Sequence, residues 1–300
     1  TDYGFMGHPS IETPHLDKLA KESVLFRRGY VPTALCRPSL MTLATGLYSH
    51  QNKTTGNDPA GTPANRAHAE KAGEHIRELL ISHIDQTGAL PGWLAEKGYV
   101  SHQSGKWWEG PYQRGGFTEG MTRGFPKPGG RHGDDGLKIG RDGMEAVLDF
   151  IDRSVADEKP FFVWYAPFLP HTPHNPPARL FEKYQAKGVP DRIAKYYAMC
   201  EWFDETCGEL LAYLREEDLE RNTLVLFVTD NGWIQRGKQR GYAPLSKRSP
   251  YEGGVRTPIL VSWPGRVKAG RVDSLASTVD FAPTVLMPGD PLRAAQHFLD

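Results

Sequence analysis

The chain has 300 residues, 39% of them hydrophobic, and its 36 Lys and Arg residues balance 36 Asp and Glu residues. This length can bury the core of one large α/β domain, or of one domain with an appendage. Zero net charge argues against nucleic acid and against an anionic membrane surface as partners. No apolar run approaches the ~20 residues that a membrane helix needs. Three scattered cysteines cannot form a disulfide framework, and we expect Cys200 and Cys207, on one face of a helical stretch, to lie in the core.

Helical patterns recur along the chain between turns rich in Gly and Pro. The first helix opens at Thr13-Pro14, because threonine can cap a helix and proline suits its first turn. Its apolar stripe consists of Leu16, Leu19 and Ala20. The other predicted helices cover residues 39–45, 70–84, 89–97, 140–157, 192–214 and 280–286.

Short segments between these helices are predicted as strands, at residues 24–30, 99–103, 161–166, 224–228 and 258–262. The alternation of strands and helices predicts an α/β fold with a mostly parallel central sheet flanked by helices. In such sheets ligands bind outside the carboxyl ends of the strands. The polar residues that follow the strands are therefore the first candidates for a functional site.

Cys36 stands just ahead of a predicted helix. Pro38 suits the first helical position, residues 39–45 continue the helix, and Gly46 suits a left-handed stop after it. Free backbone N–H groups and the helix dipole favour an anion there, and a cysteine in such a place can become a reactive centre. The alternative is a small apolar residue packed in a core. A thiolate phosphatase would need an arginine six positions after the cysteine, where this chain has Thr42.

Polar elements follow three of the predicted strands, and each has an ordinary structural reading beside a functional one. Asp230 and Asn231 offer the oxygen ligands that Ca²⁺ and Mg²⁺ accept, although Asp-Asn-Gly is also turn chemistry. Lys106 can be a solvated lysine between packed aromatic residues, and His171 can be a polar surface residue. The later segment 247–256 can be a basic, turn-rich loop.

Taken in order, these elements resemble the signature sequences of the type I sulfatases, which belong to the alkaline phosphatase superfamily. Cys36-Arg37-Pro38-Ser39 is similar to the family's Cys-x-Pro-Ser, and Asp230-Asn231-Gly232 to its metal-binding Asp-Asn-Gly. The other matches are Gly105-Lys106-Trp107, the His-x-Pro element at His171, and the Lys-x-x-x-x-Glu-Gly-Gly-x-Arg segment from Lys247 to Arg256. The resemblance covers most of the chain and implies an alkaline-phosphatase-like architecture.

The resemblance implies hydrolysis of sulfate monoesters by formylglycine, which that family makes from its cysteine after translation and uses as a hydrate to attack sulfur. The lysines would contact the sulfate, the histidine would protonate the leaving alcohol, and a divalent metal, Ca²⁺ rather than Mg²⁺, would complete the site. The implied catalytic residues are Cys36, Lys106, His171 and Lys247, and the implied metal ligands are Asp230, Asn231 and Cys36. We expect all of them to share one pocket, with His174 at its rim, and we expect Glu252 and Arg256 to hold their loop together.

The resemblance also implies partners: a sulfated small molecule or glycan as substrate and a formylglycine-generating enzyme. A periplasmic or secreted location would follow the family. The irregular region 105–136, dense in Gly, Arg and aromatic residues, predicts a sulfated carbohydrate, because rings stack on sugars and arginines fork onto sulfate. A glycine-rich surface loop is an equal alternative. Within this region His132, Asp134 and Asp135 could imitate a metal site, although we favour a solvated turn.

Departures from the family pattern keep other functions open. Leu40 stands where the family has an arginine, and Trp108 where it has a histidine. The family's Asp-Asp pair would lie upstream of Thr1, and Asp2 comes too late to replace it. We therefore expect residues 1–300 to be one sulfatase catalytic domain truncated at both ends, without its first strand and its C-terminal subdomain. The alternatives are a phosphate or phosphonate ester hydrolase of the same superfamily, and a non-catalytic relative that binds sulfated glycans.

Overall fold

The computed structural model describes residues 2–59 and 75–287, and the chain divides into two compact units. The first unit contains the described residues of the ranges Thr1–Ala34 and Phe168–Thr278. The second contains those of the ranges Leu35–Pro167 and Val279–Leu286. Each unit has a sheet of its own.

The strands of the described residues lie close to the segments that the sequence predicts. They are β1 (Val24–Tyr30), β2 (Val100–Gly105), β3 (Glu119–Gly120), β4 (Phe161–Ala166), β5 (Val225–Val228), β6 (Arg256–Ser262) and β7 (Gly270–Ser277).

The α-helices agree with the predictions in most places, and the predicted helix 70–84 falls partly outside the described residues. Residues 75–81 of that segment are helical. The other helices are Pro14–Lys21, Cys36–Thr45, Ser49–Asn52, His83–Thr87, Leu90–Ala95, Glu145–Ala156, Ala178–Gln185, Asp191–Glu216, Glu252–Val255 and Phe281–Leu286. None of the helices in the described ranges is both long enough and apolar enough to cross a bilayer.

The sheet of the first unit has the strand order β5-β6-β1-β7. β1 is parallel to β7, while β6 is antiparallel to both β1 and β5. The sequence did not predict β7, because most of its residues are exposed and its apolar residues do not alternate with polar ones.

The sheet of the second unit has the order β3-β2-β4, and its strands are parallel. Its register pairs Gly105 at the end of β2 with Ala166 at the end of β4. Among the described strands only β6 runs in the direction opposite to the other strands of its sheet. The predicted α/β class is therefore confirmed, with the strands divided between two sheets.

Each unit also has its own apolar core. In the first, the long helix Asp191–Glu216 packs Ala194 and Ala198 against the helix Ala178–Gln185. Cys200 and Cys207 are buried and unpaired by disulfides, as the sequence predicts, and burial raises the pKa of both thiols. In the second, buried residues from helices and loops form one cluster: Met41, Ala44, Ile84, Ala89, Trp107 and Phe117.

Candidate active site

In the second unit, Cys36 is the first residue of a helix rather than the residue ahead of it. The helix Cys36–Thr45 begins two residues before Pro38, which the sequence predicts as the first helical position, and Leu35 is its N-cap. Pro38 is tolerated in the first turn, because the N–H that it lacks has no partner inside the helix there. Cys36 is 1% exposed. It lies in the first turn of this helix, where the neighbouring N–H of Arg37 donates to Asn57 Oδ1 at 2.9 Å.

Lys106 directly follows β2, and backbone contacts with β4 fix its position. Its N–H donates to the carbonyl of Ala166 at 2.7 Å, and its own carbonyl accepts the indole N–H of Trp164 at 3.4 Å. Gly105 has φ +83, and a Cβ there would overlap the Ala166 carbonyl, so only glycine fits. Lys106 is 8% exposed. A buried lysine at the carboxyl end of a strand contradicts the alternative of a solvated surface residue.

A buried ion pair joins the segment of Cys36 to the segment of Lys106. The Arg37 guanidinium meets the Glu109 carboxylate through two hydrogen bonds, Nε to Oε1 at 2.7 Å and Nη2 to Oε2 at 2.6 Å. Nη2 also donates to the carbonyl of Leu80 at 3.0 Å. Both side chains of the pair are 2% exposed. Cys36 directly precedes Arg37, and Lys106 lies three residues before Glu109. The ion pair therefore connects the chain segment of Cys36 with the chain segment of Lys106.

The aromatic residues of the region 105–136 do not form a sugar platform. Trp107, Trp108 and Phe117 are 1%, 4% and 3% exposed. The rings of Trp107 and Phe117 meet edge-on with centroids 5.2 Å apart inside the core of the unit. Arg114 is held by Asp85 and Glu78. The prediction that these rings stack on substrate was wrong, because burial depends on tertiary packing that a glycine-rich sequence does not reveal.

Arg131 and His132, from the same region, do lie near Cys36 and Lys106. Arg131 forms a fork with Asp58, which also accepts a hydrogen bond from Arg77 at 2.8 Å. Burial would raise the pKa of Asp58, but these hydrogen bonds outweigh it and lower the pKa to about 2. The pKa of Arg131 is raised, first by its bonds to Asp58, and the thiol of Cys36 adds to the effect.

His132 lies against the segment that follows β2. Its carbonyl accepts the N–H of Trp107 at 3.3 Å, and its ring lies 5.4 Å from that of Trp108. Burial, followed by the charges of Arg131 and Lys106, lowers the pKa of His132 to about 4. Its ring is therefore neutral at pH 7. Asn57 and Asp58, which hold Arg37 and Arg131, were missed in the sequence because Asn-Asp there has the composition of an ordinary turn.

The turn at Asp134 is structural. Its carboxylate accepts the backbone N–H groups of Arg123 at 2.9 Å and Gly124 at 2.8 Å. Its side chain is 3% exposed, so this turn is buried at Asp134 rather than solvated. No group of three or more His, Cys, Asp or Glu residues in the described ranges is arranged to hold a metal.

In the first unit, Asp230 and Asn231 follow β5, as predicted. The strand end is anchored by Thr229, whose N–H donates to Thr257 Oγ1 at 2.9 Å. Gly232 donates its N–H to the Gly254 carbonyl at 2.8 Å, and a Cβ on Gly232 would overlap the carbonyl of Gly253. This close approach of two backbones explains why glycine follows Asp-Asn here.

These two residues fit a hard divalent cation in the kind of donor they offer. The Asn231 amide N–H donates to the Gly232 carbonyl at 3.0 Å, and its Oδ1 is the kind of oxygen that a hard cation accepts. Ca²⁺ takes 6–8 oxygen ligands, so these two side chains alone would not complete a site for it. Asp2 accepts the Tyr196 hydroxyl at 2.8 Å. Burial, and then the charges of Cys200, Asp2, Cys207 and Asp230, raise the pKa of Tyr3. Both carboxylates, Asp2 and Asp230, therefore act on the Tyr3 phenol.

Lys247 and His174 meet at one tryptophan. The Lys247 ammonium lies 5.6 Å from the centroid of Trp233, and the ring of His174 lies 6.5 Å from it. Lys247 is 9% exposed, and the flanking residues Leu245 and Arg248 have φ +59 and +65. Bulky residues adopt this left-handed conformation only at a cost, and such strain clusters at functional sites. Trp233 comes two residues after Asn231, so His174 and Lys247 lie in the neighbourhood of the metal candidates.

His171 has different neighbours. Its ring stacks on Phe168 with centroids 4.2 Å apart, and its Nδ1 lies 2.9 Å from the carbonyl of Thr172. Glu252 and Arg256 hold their loop as expected: Glu252 accepts hydrogen bonds from Tyr30 and from Arg256, at 2.8 and 3.2 Å.

The chain matches the family model for sulfatases over residues 1–287. The chain belongs to the sulfatase family. It is 31% identical to the N-acetylgalactosamine-6-sulfatase of Canis lupus familiaris over 95% of this chain and 59% of that protein. It is 28% identical to the arylsulfatase A of Homo sapiens over 97% of this chain and 62% of that protein. The sulfatase chain described here therefore spans about three fifths of the length of these relatives.

Solved sulfatase structures share the architecture. The crystal structure of Ps i-CgsB in complex with k-i-k-neocarrahexaose superposes with a TM-score of 0.73 at 26% identity, over 99% of this chain and 71% of that one. The predicted alkaline-phosphatase-like α/β fold and the predicted sulfatase membership are thus confirmed. The roles of the individual residues stay predictions.

Proposed function

We propose that this sulfatase-family chain hydrolyses sulfate monoesters, with position 36 as the nucleophile after conversion of the cysteine to formylglycine. The observation that carries the proposal is the buried Cys36 in the first turn of its helix, tied by Arg37 and Glu109 to the segment that holds Lys106. A hydrated formylglycine supplies two hydroxyl groups, of which one can attack sulfur and the other can assist release of sulfate.

The remaining residues supply charge and protons. Lys106 and Lys247 would neutralise the sulfate oxygens and the charge that grows on them in the transition state, which is electrostatic stabilisation. Their burial strengthens this effect, because a low local dielectric weakens the screening of a charge. His171 would protonate the departing alcohol, the usual role of a positioned histidine in ester cleavage.

Asp230 and Asn231, together with position 36, would hold a divalent metal, and we favour Ca²⁺ over Mg²⁺. Adjacent carboxylate and amide oxygens support a hard cation. Such an ion supplies positive charge that polarises the sulfate oxygens.

A sulfated carbohydrate is the proposed substrate. The support comes from relatives: one is named for a sulfated amino sugar, and another was solved with k-i-k-neocarrahexaose. A formylglycine-generating enzyme is the partner that this proposal requires.

The decisive experiment combines turnover with the mass of the peptide that contains Cys36. After co-expression with a formylglycine-generating enzyme, we expect the peptide to lose ~18 Da and the protein to hydrolyse 4-nitrophenyl sulfate. Cys36→Ala should abolish turnover while the far-ultraviolet circular dichroism stays unchanged. Cys200→Ala is the matched control and should retain activity. Near-normal turnover by Cys36→Ala would refute the assigned role.

The same assay separates the alternatives. A phosphate or phosphonate ester hydrolase would turn over 4-nitrophenyl phosphate faster than the sulfate. A non-catalytic relative that binds glycans would show an unmodified Cys36 and no turnover of either ester.

A further inference from the structure

A run of cations without acidic residues follows the metal candidates in the first unit. Residues 233–248, here called the basic loop, contain Arg236, Lys238, Arg240, Lys247 and Arg248 and no Asp or Glu. Lys238, Arg240 and Arg248 are exposed, and Arg236 is half-buried. Within the described residues, these four form no ion pair. Elsewhere in both units arginines pair repeatedly with carboxylates, as Arg179 does with Glu205.

The basic loop is folded. Gln235 and Tyr242 form an antiparallel bridge, and the N–H of Ala243 donates to the Ile234 carbonyl at 2.8 Å. The rings of Trp233 and Tyr242 lie 5.0 Å apart. The cations between them therefore occupy an ordered turn, so less conformational freedom is lost when an anion binds.

The basic loop is also close to residues of the proposed reaction. Arg236 is five residues after Asn231, and at ~3.5 Å per residue the two are at most about 18 Å apart. Lys247 contacts Trp233, the first residue of the loop.

We propose that the basic loop binds further sulfate or carboxylate groups of a polyanionic glycan chain, of which one sulfate ester is hydrolysed. This inference rests on the proposed function and narrows its substrate from a monosulfated sugar to a multiply charged chain. Arginine forks suit sulfate and carboxylate oxygens. Single-stranded nucleic acid is disfavoured, since it requires rings presented to bases, whereas Trp233 and Tyr242 pack on each other.

The test separates polymer binding from chemistry. Arg236→Gln/Arg240→Gln should leave KM and kcat for 4-nitrophenyl sulfate within twofold of wild type. It should weaken binding of dextran sulfate about tenfold at low salt, a difference that should vanish in 0.5 M NaCl because salt screens exposed charges. Lys268→Gln, an exposed cation of the same unit outside the loop, is the control and should bind as wild type does.

Two results would overturn the inference: unchanged dextran sulfate binding by the double variant, or equally tight binding of a DNA oligonucleotide, which would mark a surface for any polyanion. Binding of dextran sulfate is measured by calorimetry, which does not depend on turnover. A wild-type protein that binds dextran sulfate through the loop but hydrolyses no ester would therefore refute the proposed function and leave this inference standing.

A separate observation concerns the buried Arg37–Glu109 pair. The Arg37 guanidinium connects its own helix with two other segments, because it donates to the Glu109 carboxylate and to the Leu80 carbonyl. Burial raises the pKa of Glu109, and the Arg37 hydrogen bonds oppose that rise. We infer that Arg37 is a positioning residue, which fixes Cys36 relative to Lys106 without itself contacting the ester.

Arg37→Lys tests this role, because lysine keeps the charge but cannot form the parallel bonds. We expect kcat for 4-nitrophenyl sulfate to fall about tenfold with KM within twofold. Arg114→Lys, in which the equivalent fork to Asp85 is partly exposed, should retain wild-type kcat. If Arg37→Lys does not fold, Arg37→Met/Glu109→Leu removes both charges and should fold with low kcat. If either variant folds and has the same kcat as wild type, the inference is overturned. The proposed function is tested separately, by whether the wild-type protein hydrolyses the ester at all.

Discussion

His102 shows how a single buried residue makes the stability of the fold depend on pH. It lies on β2 with its ring 5.3 Å from Phe150, and it is 5% exposed. Burial, opposed by the charge of Glu119, lowers its pKa from 6.5 to about 4. In the unfolded chain the imidazole accepts a proton near pH 6.5, whereas in the folded chain it remains neutral down to about pH 4. The associated stability is thus complete above pH 6.5 and is lost as the pH falls from there towards 4.

We expect His102→Gln to weaken the pH dependence of stability by about 2 kcal/mol between pH 7 and pH 4.5. Urea denaturation of wild type and variant at the two pH values measures this difference. His132 titrates in the same range in both proteins and does not affect the comparison. An unchanged pH dependence in the variant would show that folding does not lower the pKa of His102.

At the scale of elements, the start of the first helix depends on a residue from a distant one. The helix Pro14–Lys21 is capped by Asp204 of the long helix Asp191–Glu216, which accepts the N–H groups of His15 at 3.1 Å and Leu16 at 2.7 Å. Thr13 is the N-cap residue, as predicted, but its side chain donates to and accepts from other groups than the helix N–H groups. The Thr13 hydroxyl accepts the N–H of Gly4 at 2.8 Å and donates to Asp17 at 2.9 Å.

Asp204→Ala should lower the free energy of unfolding by about 2 kcal/mol at pH 7, because it leaves two N–H groups of a helix start without an acceptor in a buried place. Burial raises the pKa of Asp204 to about 6, so the carboxylate is ionised at pH 7 and also favours the positive helix end. Chemical denaturation measures the loss. Asp191→Ala, at the exposed start of the long helix, is the control and should cost less than half as much.

The elements that sequence predicts well are those whose pattern is local. Residues 161–166 are a continuous apolar run and form β4 with the predicted bounds. The exposed strand β7 has no such pattern, and its position depends on pairing with β1. The same distinction applies to the site. The position of Lys106 can be predicted because it directly follows a strand, whereas the contacts of Arg37 and His132 depend on packing between segments far apart in sequence.

At the scale of the whole molecule, zero net charge conceals unequal local charge. The basic loop concentrates five cations, while Asp2 and Asp230 both act on the buried Tyr3 phenol of the same unit. Zero net charge argued against nucleic acid and an anionic membrane surface as partners, whereas the distribution of charge permits a polyanionic glycan. Carboxylates and cations in the same unit are also the combination that a metal ion and an anionic ester together require.

The proposed metal site can be tested through the stability of the whole protein. A cation that binds only the folded state stabilises it by RT ln(1 + [L]/Kd), about 2.7 kcal/mol at a hundredfold excess over Kd. After treatment with EDTA, we expect Ca²⁺ to raise Tm with increasing concentration, and Mg²⁺ to do so less. Asp230→Ala should abolish the shift, because the Asn231 amide alone carries no charge to bind the ion. Asp191→Ala, an exposed carboxylate in the same unit, should keep it. Equal shifts in both variants would place the cation elsewhere and remove Asp230 from the proposed site.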